Sequence, residues 1–376
     1  MRQTLANVNL IDDYIFGKMA SDGVPTAPLT TDAEFLRRLT IDLTGRIPGP
    51  EQAADFIAST DGSKRTALIE SLIGSDAYVD NFTLFYGNLY EITSGYYNFI
   101  SVDSRNLFYR TVRDFVQRDR SLAALATDLI SGTGDSFSNG PVNFLVRGWQ
   151  NGDPIQDTWD TLTDRVTTRF LGAKTECVSC HDGRRHLEQI NLWLAARRRV
   201  EFWRQSAFFS RMQMTPLSID AFNQQMHFMI VERNSGGYPS IVSSQQPGPR
   251  PPRTGGPYDP AYIYSGEQAR TGEWRRELAR MVTGDRQFAR AAVNYLWAHF
   301  FTTGIVDPVD GWDLARIDPN NPPPEPWTLQ PTHPELIERL ADEFIQSNFN
   351  IRRIIRLIVQ SNAYQLSSRY QGEWRP

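Results

Sequence analysis

The sequence predicts a mainly α, multi-helical protein of two domains, with little β structure and a Pro/Gly-rich connector between them. Three observations predict it. Apolar residues recur at helical spacing near both ends, as Phe35, Leu36, Leu39 and Leu43 and again as Ile351, Ile354, Ile355 and Ile358. Thr31-x-x-Glu34 and Thr332-x-x-Glu335 read as capping boxes, in which a hydroxyl and a carboxylate satisfy each other's free backbone N–H groups. From 234 to 266 the composition shifts to Gly, Pro, Ser and Gln. The expected division is therefore 8–233, a connector at 234–266, and a C-terminal helical domain at 267–376.

In order, 8–30 reads as a short helix and a turn around Gly23, Pro25 and Pro28. The Thr31 helix runs until Gly45 and Pro48 stop it. Pro50 starts another; Ser63 caps one carrying Leu68, Leu72 and Ile73, and Ser75 begins an aromatic one through Phe82, Phe85, Tyr86 and Leu89. Leu122, Leu125 and Leu129 repeat the pattern up to Gly132. The glycine-rich loop at 131–140 lacks the lysine of a P-loop and reads as a connector. A helix at 161–171, with Leu162, Val166 and Phe170 on one face, ends at Gly172. A further helical stretch carries Leu187, Ile190 and Leu194, followed by Trp193, Phe202, Trp203, Phe208 and Phe209. These aromatics suit a cofactor crevice, although plain core is the commoner use of such residues. The apolar run 227–231 suggests a short strand, and the prolines of the connector should keep it extended across the surface. Helices follow at 274–281 and 288–301, then a proline-broken loop at 307–331. The last stripes are Leu336, Leu340 and Phe344 and the isoleucine series, with Arg352, Arg353 and Arg356 on a solvated face.

Composition narrows function. Hydrophobic residues make up 40% and aromatics 12%, which suits well-filled cores and excludes bulk disorder. A net charge of -4 with scattered Lys and Arg offers no field for nucleic acid, so none is expected as a partner. No run approaches the ~18 apolar residues of a membrane span, so no transmembrane segment is expected.

The chemistry concentrates in Cys177-Val178-Ser179-Cys180-His181, which holds the only two cysteines of 376 residues. Cys-x-x-Cys-His is the pattern of covalent haem attachment. Two thiols three positions apart can each bond one vinyl group of a porphyrin, and the next imidazole can take one face of the iron. The expectation is haem c on Cys177 and Cys180 with His181 as axial ligand, in an electron carrier or haem-binding module more readily than in a catalyst. Arg184, Arg185 and His186 would serve as hydrogen-bonding or propionate contacts. The second axial ligand is expected from Met212, Met214, Met226, His227 or Met229, with Met212 or Met214 preferred because the aromatic stretch before them could fold back over the haem. Structural zinc on Cys177, Cys180 and His186, completed by His181 or Asp182, is one alternative. A helical interaction module whose cysteines form or break a disulfide is another.

Two stretches resemble the paired planctomycete cytochrome-associated domains of unknown function. The first runs from Glu34-Phe35-Leu36-Arg37-Arg38-Leu39 to Gly45-Arg46-Ile47-Pro48 and on to Phe170-Leu171-Gly172 and the cysteine motif with Asp182-Gly183. The second includes 288–297, 304–310 and Ser361-Asn362-Ala363-Tyr364-Gln365-Leu366-Ser367-Ser368. The resemblance implies a secreted or periplasmic cytochrome relative whose redox partner is undefined. Met1-Arg2-Gln3-Thr4 does not read as a secretory signal, whereas haem attachment takes place outside the cytoplasm. A fragment of a longer precursor, truncated at both ends, is the expectation that reconciles the two; otherwise no haem is attached in the cell.

Overall fold

The computed structural model describes residues 5–94, 100–220, 225–240 and 250–370. The part of the connector at 241–249 and the two chain ends lie outside them. Among the described residues the fold is mainly α, with sixteen α-helices and one three-stranded sheet.

The first array comprises α1 (Leu10–Ser21), α2 (Asp32–Thr44), α3 (Pro50–Ala58), α4 (Lys64–Leu72), α5 (Asp76–Leu89), α6 (Val102–Gln117) and α7 (Leu122–Ser131). The Thr31 capping box forms: the hydroxyl accepts from Glu34 N while the Glu34 carboxylate accepts from Thr31 N at 2.9 Å. Phe35, Leu36, Leu39 and Leu43 are buried as the periodicity requires. The sequence reading passed over α6, although Phe108, Val112, Phe115 and Val116 form its buried face and the Ser101 hydroxyl caps it.

Next come β1 (Gly134–Asp135), α8 (Asn143–Val146), α9 (Ile155–Leu171), α10 (Cys177–Cys180), α11 (Leu192–Ala195), α12 (Arg199–Ser206), β2 (Met212–Asp220) and β3 (Gln225–Glu232). The strands are antiparallel in the order β1-β3-β2, with Met212 opposite Glu232 and Met214 opposite Ile230. The short strand expected at 227–231 is thus β3. The 131–140 loop is more than a connector, because Gly134 and Asp135 pair with Ile230 and Met229.

The single helix expected through Leu187, Ile190 and Leu194 does not form. Ile190 is 68% exposed, and the chain restarts at α11. There the Asn191 side chain accepts from Leu194 N, and the Asp313 carboxylate accepts from Leu192 N and Trp193 N at 2.8 and 2.9 Å. A cap delivered from 120 residues away is invisible to local periodicity.

The remaining helices are α13 (Trp274–Gly284), α14 (Arg286–Phe301), α15 (Pro334–Gln346) and α16 (Ile351–Gln360). The second capping box is absent. Pro334 occupies the first helical position, His333 becomes the N-cap, and the Thr332 hydroxyl donates to Ile305 O. Residues on both sides of the Pro/Gly-rich segment contribute to one hydrophobic cluster, in which α13 packs on α7, α14 on α9 and α1 on α15.

The described parts of 234–266 do not simply run across the surface. Tyr238 and Tyr258 exchange backbone hydrogen bonds, and Tyr238, Arg250, Arg253, Tyr262 and Ile263 are buried. Arg253, 1% exposed, pairs with the fully buried Asp157 and Asp160 of α9, and its Nε donates to the Tyr238 hydroxyl. Burial pushes the Asp160 carboxyl above its usual range, and Arg253 offsets only part of that. Removing one partner of such a cluster strands the other charges in the interior. Arg253→Met should therefore lower stability by about 3–5 kcal/mol in urea unfolding. An unchanged midpoint would show that the segment is not locked by this pair.

Candidate functional site

The site is built from the end of α9. Gly172 closes the helix in the left-handed region at φ 69°, and a Cβ there would sit 2.4 Å from the Trp312 ring. Only glycine meets both demands. The chain then returns along α9: the Thr175 and Thr167 hydroxyls share a 2.8 Å hydrogen bond, and Asp164 accepts from Glu176 N at 2.8 Å. Val178 is fully buried and roots the single turn of α10.

Cys177 is exposed and Cys180 half-buried; both are free thiols. Partial burial, then the Glu176 and Asp164 carboxylates, push the Cys177 thiol pKa up. His181 leaves the turn in an extended conformation, and its Nδ1 lies 2.8 Å from Asp182 O. A carbonyl only accepts, so Nδ1 carries the proton of the neutral ring and Nε2 keeps its lone pair. The Asp182 carboxylate in turn accepts from Arg199 N at 2.7 Å. Gly183 is required by close approach, since a Cβ would fall 1.9 Å from Leu194 O.

Of the residues expected to act together, Cys177, Cys180, His181, Arg184, Arg185 and His186 lie along one short stretch. The rings of His181 and His186 are 4.3 Å apart, and Arg184, Arg185 and His186 are exposed. Met212 and Met214 lie on β2 with their side chains in the core. His227 on β3 is engaged elsewhere, with Nδ1 3.0 Å from the Asp135 carboxylate and its ring stacked on Phe137. Trp193, Phe202, Trp203, Phe208 and Phe209 are all buried in the main cluster; Trp203, for one, stacks on Tyr238. Among the described residues no three of His, Cys, Asp and Glu are gathered so as to hold a metal ion, and no helix is long and apolar enough to cross a membrane.

Sequence reasoning missed Asp164, Ser179, Arg199 and Arg250, which fix the turn. It also missed a polar cavity of ≈ 140 Å³ beside Glu176, lined by Glu91, Asp164, Arg165, Arg169 and Arg250 among others. Glu91, at φ 56°, pairs with Arg165 and Arg169. No local pattern marks these residues, because their partners are remote in sequence.

Residues 10–213, more than half of the chain, match the family model PSCyt2, a protein of unknown function (DUF1549). The chain belongs to this family. Residues 274–375 match PSD1, a protein of unknown function (DUF1553), so the pair is the planctomycete cytochrome-associated one that the sequence resembles. No curated protein and no solved structure matches the chain. The PSCyt2 match contains the whole cysteine motif and the α9 end that supports it.

Two outcomes follow from this geometry. Gly183→Ala must displace the 194–195 backbone, and thermal unfolding should show a loss of about 1–3 kcal/mol; an unaltered melting curve would exclude that contact. Glu91 is half-buried, and the attraction of Arg165 and Arg169 outweighs burial to hold its carboxyl below the usual range. Its pairing therefore stabilises the fold above the unfolded-state value near ~4.3 and is lost as pH falls through the lower folded value. The wild type should exceed Glu91→Gln in stability at pH 7, by no more than about 1 kcal/mol, and the gap should close below about pH 4.

Proposed function

We propose that this protein is a c-type cytochrome-like electron carrier of the periplasm or another extracytoplasmic space, with one haem held covalently by Cys177 and Cys180. The observation that carries the reading is the donor set: two free thiols on one helical turn, followed at once by an imidazole whose Nδ1 is tied back and whose Nε2 is left for a metal. Haem, when bound, supplies one-electron chemistry. The chain's own residues do the rest. Cys177 and Cys180 would anchor the group and His181 would ligate its iron, while the Asp182 carbonyl holds the ring's tautomer and angle. Arg184, Arg185 and His186, exposed beside the motif, would be donors for the propionates. His186 follows His181 too closely in the chain to be a second ligand to the iron, a role for which Met212 and Met214 on β2 would be the candidates. The zinc alternative has less support, since adjacent Cys180 and His181 are poorly disposed to face one small ion and no three-ligand group is assembled among the described residues.

The test is expression in a host that matures c-type cytochromes, followed by denaturation, acidified solvent extraction and haem staining. One haem per chain should stay with the polypeptide, and Cys177→Ala/Cys180→Ala should carry none. Haem that leaves with the solvent, or no haem at all, overturns the reading.

A further inference from the structure

Ser179 stands between the two cysteines and is fully buried. Two guanidinium groups grip it. Arg199 Nε donates to its carbonyl at 2.8 Å, and Arg250 Nε donates to its hydroxyl at 3.0 Å, an oxygen that is 3.6 Å from Cys180 Sγ. Neither arginine is loose at its other end. Arg199 lies over the Trp203 ring at 4.8 Å, and its two terminal nitrogens donate to the carbonyls of Pro251 and Pro252. Arg250, 9% exposed, has Nη1 3.5 Å from Asp157, within the buried cluster that Arg253 shares. A four-residue helix cannot hold its own shape, because its formation fixes several dihedrals for one or two hydrogen bonds. The separation and direction of the two thiols must come from outside the turn.

We infer that Arg199 and Arg250 are positioning residues that clamp the Cys177–Cys180 turn through Ser179, with the Pro-rich segment at 250–253 as the strap that fixes both. The clamp presets the two thiols for attachment and keeps two positive charges beside Cys180. The inference deepens the cytochrome reading and rests on it for the haem. The grip on the turn itself stands without haem. With haem attached, nearby cationic charge favours the reduced state, so the clamp raises the reduction potential.

The haem-free full chain is tested first, by the rate at which iodoacetamide alkylates Cys180, read by peptide mass spectrometry, with urea unfolding as the control for global stability. Ser179→Ala should speed alkylation about tenfold, the weight of one hydrogen bond to a charged group, and Arg250→Gln should speed it less, because a cation beside the thiol favours the reactive thiolate. The double variant should be no faster than Ser179→Ala, since both changes remove one bond. Rates unchanged in both single variants, or effects that multiply, overturn the clamp. Ser179→Ala leaves the Arg250 ion pairs intact and decides the matter alone if Arg250→Gln fails to fold. In haem-loaded protein Arg250→Gln should lower the potential, while Arg250→Lys should keep most of it. An equal potential in all three refutes the electrostatic part. Faster alkylation in protein that never acquires covalent haem would keep the clamp and reject the cytochrome reading.

Discussion

The arrangement depends on the buried ion cluster of Asp157 and Asp160 with Arg253 and Arg250. Two carboxylates with no exposure, three residues apart on α9, would be prohibitive without cations. The cations come from a segment rich in Gly and Pro that cannot build a helix or core of its own. The segment is therefore held by charge as well as by its buried Tyr238, Tyr262 and Ile263, and the Tyr238 hydroxyl completes the cluster by donating to Asp160. Such a network stabilises only when nearly every member is paired, so it specifies one seating of the strap instead of adding general cohesion.

The same helix distributes its other polar groups with equal specificity. Along α9, Thr163 bonds Ser206 of α12, Asp164 caps the start of α10, Thr167 bonds Thr175, and the carbonyl of Thr168 accepts from the Tyr295 hydroxyl on α14. One helix thus connects strap, cysteine turn and C-terminal helices. The two family-matched segments meet elsewhere too. The fully buried Asp12 accepts from Asn362 N and Ala363 N, Thr30 N donates to Gln365 O, and the Tyr364 hydroxyl donates to Asp42. The second family's closing stretch, 361–367, is therefore packed against the first family's opening helices.

What could be read in advance divides along this line. The Thr31 box, the Gly172 stop, the isoleucine stripe of α16 and the cysteine motif are local patterns, each complete within a few residues, and they were legible. The fold class followed from them. The features that escaped have partners far away: Asp313 capping α11, Ile305 claiming Thr332, β3 recruiting Gly134 and Asp135, and Arg250 reaching Ser179. α6 is the exception, since Phe108, Val112, Phe115 and Val116 carry a readable stripe. At the site, the Cys-x-x-Cys-His motif was legible because its spacing is short and fixed, whereas the groups that shape the turn obey no spacing rule.

This asymmetry bears on how the site would work. Cys177 is exposed and Cys180 half-buried on a turn rooted by Val178 and Ser179, and the loop at 184–190 beside them is largely exposed. On the cytochrome reading, a haem attached there would be partly exposed to water, and exposure stabilises the more highly charged ferric form. The guanidinium groups at Ser179 would act in the opposite sense, Arg250 from the buried side, where screening by solvent is weakest. Asp164 and Glu176, close to Cys177, temper that effect, and burial and mutual repulsion already hold the Asp164 carboxyl above its usual range. The potential would thus be set by a competition between an exposed edge and a charged floor, with Ser179 as the point through which the floor acts.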